Sequence, residues 1–90
     1  QALAMMNSAF VNEEAVSFAK RLRAEAPDDP RRQIGLALEI ALSRPATVRE
    51  LDYGMEFVEV MMREHKLSAE DAFNRFALFV LNLNEFFFVD

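Results

Sequence analysis

Apolar residues recur along this chain at helical spacing, and the pattern changes character at its last quarter. Between Ala72 and Leu83 only Asn74, Arg75 and Asn82 are polar, so a helix there is apolar over most of its circumference. Such a helix must be buried on several sides rather than along one stripe, and the pattern predicts that the other helices pack around it. Upstream, Phe10, Val11, Ala15, Phe18, Ala19 and Leu22 fall on one helical face opposite Asn12, Lys20, Arg21 and Arg23. That helix is expected to follow Asn7-Ser8 and to run to about Ala26, with Gln1 to Met6 forming a short helical piece before it.

The breaks between helices carry their own signals. Pro27-Asp28-Asp29-Pro30 stops the first helix and starts the next, with Asp29 as N-cap and Pro30 at the first helical position, where a missing N–H costs nothing. The helix from Arg31 to Ser43 sets Ile34, Leu38 and Leu42 on one face beside Ala37 and Ala41. Leu36 and Ile40 widen that sector, so this helix too is expected to sit deep. Arg44-Pro45 breaks it, and Thr47 with Glu50 three residues on reads as a capping box that opens a third helix. There Leu51, Met55, Val58 and Met62 form the stripe, while Arg49, Asp52, Glu56, Glu59 and Arg63 form the wet face. Gly54 costs about 1 kcal/mol relative to Ala inside a helix, and close approach of a neighbouring helix is the expected reason for it. His65-Lys66 lie near the helix C-terminus, where cations suit the dipole. Ser68, with Asp71 three residues later, is expected to cap the last helix.

Composition narrows the function classes. Ninety residues, 52% of them hydrophobic, make one packed domain rather than a disordered segment. The formal net charge of -5 argues against nucleic-acid binding, which draws on a surplus of Lys and Arg to displace phosphate counterions. The basic residues Lys20, Arg21, Arg23, Arg31 and Arg32 are interspersed with Glu25, Asp28 and Asp29 and read as a solvated face, leaving a helix-turn-helix DNA binder a distant third reading. With no cysteine, thiolate catalysis, zinc ribbons and covalent haem attachment have no ligands here. No apolar run approaches the roughly 18 residues of a membrane span. Gln1 falls in what reads as mid-helix, as expected of a piece of a longer protein.

Candidate chemistry is sparse. His65 is the only histidine, so a metal site would rest on carboxylates. The pairs Asp28-Asp29 and Glu70-Asp71 sit at helix starts, where acidic residues complement the dipole. Glu14 borders the apolar stripe of its helix and Glu13 lies opposite, and one of them is expected to meet Arg44. Asn82-Leu83-Asn84-Glu85 is expected to end the last helix and satisfy its carbonyls. The Phe86-Phe87-Phe88-Val89 run is too short to anchor in a membrane and is expected to fold back on the core or to cover a groove of a neighbouring domain.

Three stretches, Gln1 to Asn7 leading into Phe10 to Glu13, then Ala41 to Glu50, then Leu81 to Phe86, resemble in order one known tail. It is the C-terminal domain of unknown function of planctomycete-type cytochrome-c-domain proteins. The similarity spans almost the whole chain, with Ser43 standing where that family often has Gly and Met5-Met6 where it has two leucines. The resemblance implies a C-terminal module of a large, exported, extracytoplasmic protein, whose upstream part would hold any haem c; this chain carries no cofactor motif. Asn7, Glu13, Arg44, Glu50, Asn82, Asn84 and Glu85 match the motif positions and are expected to form a structural polar network.

Together these readings predict an all-α bundle of four main helices plus a short N-terminal helix, packed around the apolar C-terminal helix. The expected role is a non-catalytic module contacting other domains of its parent chain or a protein partner, with no nucleic acid and no membrane span. The alternative is part of an enzyme, with Glu13, Arg44 or Glu85 contributing to a site completed by upstream domains.

Overall fold

The computed structural model describes the backbone of residues 9–87 and the side chains of residues 12–83, and every one of its elements is a helix. They are α1 (Ala9–Glu25), α2 (Pro30–Leu42), α3 (Val48–Glu64) and α4 (Ala69–Phe87), an all-α bundle. The expected helix at Gln1 to Met6 lies outside the described residues. Local chemistry sets the boundaries. Asp29 caps α2 by accepting from the Arg32 backbone N–H at 3.2 Å, with Pro30 in the first turn. Thr47 and Glu50 form the reciprocal capping box of α3, and the Ser68 hydroxyl accepts from the Asp71 N–H at 3.1 Å at the start of α4.

Helix α4 packs against each of the other three. Its Ala72, Phe76, Ala77 and Val80 are at most 1% exposed, and they meet Ala15, Phe18, Ala19 and Leu22 of α1 and Ile34, Ala37, Leu38 and Ala41 of α2 in one core. Small residues on α1 and α2 let the helices close on the phenylalanines. Phe76 sits amid Phe57, Phe73 and Phe79 at centroid separations of 5.7, 6.0 and 6.3 Å. Gly54 is where α3 reaches this core. A Cβ there would lie 2.5 Å from Ile34 Cγ2 and 3.3 Å from the Phe76 ring, so the close approach expected from the sequence is real.

Four sequence expectations need correction. Helix α4 does not end at Asn82–Glu85 but continues to Phe87. No Gly or Pro follows Asn82, and Val80, Leu83 and Phe87 keep the three- and four-residue spacing, so nothing local stops the helix. Helix α2 is not deep all round, since Ile40 is 52% exposed and only one side of the helix faces α1, α3 and α4. Met62, placed on the α3 stripe, is exposed, and Phe57, unassigned from the sequence, instead stacks on Phe79 at 5.3 Å. Arg23 is half-buried rather than part of a solvated basic face.

The end of α2 yields a stability prediction. Ser43 takes φ 59 and ψ 32 while its N–H donates to the Glu39 carbonyl at 2.8 Å, a left-handed cap that glycine adopts without a Cβ clash. Ser43→Gly is expected to raise stability by about 0.5–1 kcal/mol, the left-handed cost of roughly 1–2 kcal/mol being partly offset by the freer unfolded chain. Urea unfolding midpoints of the two proteins check this; a lower midpoint for the variant contradicts it.

Candidate functional site

The most strongly organised polar group joins the end of α2 to the start of α3. Arg44 donates from both terminal nitrogens to the two Glu50 carboxylate oxygens, at 3.0 and 2.7 Å, and also to the Pro45 carbonyl at 3.1 Å. The same carboxylate accepts from the Thr47 N–H at 2.9 Å, while the Glu50 N–H donates to the Thr47 hydroxyl at 3.2 Å. The bidentate guanidinium, and after it the Thr47 N–H, hold the Glu50 carboxyl down at about 2, and Glu50 in turn raises the Arg44 value. A carboxylate held ionised this firmly is a poor proton carrier near neutral pH, and an arginine is a poor acid. The cluster is chemically suited to closing the α2–α3 turn.

The sign of its pH dependence follows. Glu50 titrates near 4.5 when unperturbed and about 2 in the fold, so its stabilisation is complete above 4.5 and is lost as pH falls through 2. Glu50→Gln is therefore expected to flatten part of the decline in melting temperature between those pH values. Parallel melts of the two proteins test it, and identical slopes would reject it.

Of the remaining sequence candidates, those whose side chains are described do not join this cluster. Glu13 and Glu14 are exposed, and the partner of Arg44 is Glu50 rather than either of them. Asn82 lies within α4 with its Oδ1 buried and lacking a hydrogen-bond partner among the described residues. Asn84 and Glu85 belong to α4 and their side chains lie outside the described set, as do Asn7 and the Phe86 to Phe88 side chains. His65 is the exposed C-cap of α3. Among the described residues no group of three or more His, Asp or Glu side chains is placed to hold a metal ion, and no helix is long and apolar enough to cross a membrane.

Two polar residues gain roles that the sequence reading missed. Gln33 is 7% exposed and donates through Nε2 to the Ala26 carbonyl at 2.8 Å, tying the residue just past α1 to α2. Arg23 donates to the Glu70 carbonyl at 3.1 Å and to Asn74 Oδ1 at 3.0 Å, and its guanidinium lies 5.2 Å from the Phe73 ring centroid. It staples α1 to the beginning of α4 through hydrogen bonds and a cation–π contact.

Beside this staple a wide groove opens along α3. Ile34 of α2, Met55, Val58 and Met62 of α3, and Phe73 of α4 give it an apolar floor. Its rim carries the carboxylates of Asp28, Asp52, Glu56, Glu59 and Glu70, against the cations of Arg23 and Arg63. Asp52 pairs with Arg31 at 3.0 Å; among the described residues the other four rim carboxylates join no ion pair. The sequence shows Glu56 and Glu59 as a wet face, but bringing them beside Asp28 and Glu70 requires the fold. No protein-family model, no curated protein and no solved structure matches this chain.

Proposed function

We propose that this chain is a non-catalytic helical module that works by contact, docking another domain of a larger extracytoplasmic protein or a protein partner through the incompletely covered side of α3. The observation that carries this reading is the state of α3 itself. Its apolar residues repeat at helical spacing, yet only Gly54 among them is buried. Met55 and Val58 are half-buried and Met62 is 40% exposed, and these three line one groove. Contiguous apolar surface rimmed by polar residues is characteristic of interaction sites. The resemblance to the C-terminal domain of planctomycete-type cytochrome-c-domain proteins supports a position at the end of a longer exported chain, any haem c being held upstream. Arg44, central to the enzymatic alternative, is engaged by Glu50 in a helix cap, which favours contact over catalysis.

Light scattering on the 90-residue chain, with a thermal melt and titration of an apolar-surface dye, tests the reading. The expected result is a cooperative melt accompanied by saturable dye binding or by dimer formation. A cooperatively melting monomer that binds no dye overturns it, because its apolar surface would then be closed.

A further inference from the structure

We infer that the groove along α3 receives a cationic amphipathic helix of about three turns, an assignment that rests on the contact reading above. Recognition of an amphipathic helix needs an apolar trough for its stripe and rim groups that match its flanking charges. The floor supplies the first: Met55, Val58 and Met62 advance along α3 at three- and four-residue spacing, with Ile34 and Phe73 behind them. From Asp52 to Arg63, at about 1.5 Å per residue, the trough is roughly 16 Å long, which sets the three-turn length.

Charge chooses the occupant. Five carboxylates and two guanidiniums line the groove; with Asp52 paired to Arg31, the remaining four carboxylates and two guanidiniums leave a net of two negative charges, in a chain whose net charge is -5. Arg23 is already committed to the Glu70 carbonyl, Asn74 and the Phe73 ring, which leaves Arg63 as the cation least engaged along the rim. Lysines or arginines flanking an apolar stripe would meet Glu56 and Glu59 on the α3 side and Asp28 and Glu70 opposite. An acidic helix, an anionic lipid surface or a nucleic acid would meet like charge. A second copy of this chain, itself at -5, brings the same mismatch.

The probe is a fluorescent synthetic peptide of about 14 residues with leucines at helical stripe positions and lysines elsewhere, alongside its counterpart with glutamates replacing the lysines. Anisotropy titrations are run on the 90-residue chain and on two doubly substituted variants, all six peptide–protein titrations at equal salt. Glu56→Lys with Glu59→Lys alters the rim; Glu13→Lys with Glu39→Lys makes the same change of charge at exposed positions elsewhere. The lysine peptide is expected to bind at least about tenfold more tightly than the glutamate peptide. The rim variant should lose about tenfold or more of that affinity, while the distal variant loses under about threefold. Equal losses in both variants would reduce the effect to general attraction and overturn the assignment, as would equal binding of the two peptides. If the lysine peptide fails while dye binding or dimerisation persists, the groove assignment falls and the contact reading stands. If all are absent, both fall.

Discussion

Phe76→Ala is expected to remove about 3–5 kcal/mol of stability, the range for deleting a buried phenylalanine. Phe76 is 0% exposed and occupies the middle of α4, where Phe57, Phe73 and Phe79 surround its ring and the Cβ-less side of Gly54 lies against it. Removing the ring withdraws contacts from three aromatic neighbours on two helices at once. The backbones cannot close the gap without pulling α3 and α4 off the rest of the core. A domain of this size holds roughly 5–15 kcal/mol in total, so the variant gives up from about a fifth to nearly all of its stability. Urea and thermal unfolding measure the effect. Phe79→Ala is the comparison, because Phe79 is only half-buried and its loss should cost distinctly less. A Phe76→Ala cost below about 1.5 kcal/mol would mean that the ring is not central to the core.

Gly54→Ala is expected to destabilise by about 1–3 kcal/mol, the usual cost of forcing a methyl into a packed core. This runs against helix propensity, which favours alanine by about 1 kcal/mol. The contact distances decide between the two effects. The new Cβ would stand 2.5 Å from Ile34 Cγ2, a methyl whose position is set by a stiff β-branched χ1 in a side chain 1% exposed, with the Phe76 ring at 3.3 Å behind it. Gly35 supplies the contrast. A Cβ there meets only the Leu51 Cδ2 terminus, at 3.2 Å, which can swing aside. Gly35→Ala should therefore be neutral or mildly stabilising. Combining Gly54→Ala with Ile34→Ala should cost less than the sum of the two single changes, because the second removes the obstructing methyl. Additive losses, or a Gly54→Ala protein as stable as the parent, would contradict this account of the crossing.

Where sequence reasoning succeeded, the governing interaction was short-ranged. Asp29 and Pro30, the Thr47–Glu50 box and Ser68 each act within one helical turn, so the starts of α2, α3 and α4 could be placed from residue type and spacing. The capping box also positions Glu50 for Arg44, whereas the sequence alone points to Glu13 or Glu14 on another helix as its partner. The nearer carboxylate prevailed because the Thr47 N–H already orients it. The C-terminal misreading has the opposite cause. Asn82 and Asn84 do favour turns, but an Asn inside a helix costs only about 0.7 kcal/mol or less relative to Ala, far short of the cost of Pro, so neither stops the helix by itself. Asn82 stays inside α4 with a buried oxygen lacking a partner among the described residues, a placement that local propensity opposes.

The proposed contact surface was less legible. Its members were visible one by one: Glu56 and Glu59 as wet positions, Met55 and Val58 as stripe, Asp28 and Glu70 as helix-start acids. Nothing in their spacing says that they share a groove. Arg23 makes the same point, since its partners at Glu70 and Asn74 lie 47 and 51 residues away.

The sequence by itself determined an all-helical chain, the caps that begin three of its helices, and an apolar last helix needing cover on several sides, because hydrophobic period and capping act over a few residues. Only the tertiary structure decided that α2 shows Ile40 to solvent, that Gly54 lets α3 approach Ile34 and Phe76, and that α3 keeps a half-covered apolar side within an acidic rim. Those outcomes depend on how closely helices distant in sequence can approach, which the small residues at their crossings permit and the rings of the phenylalanines limit.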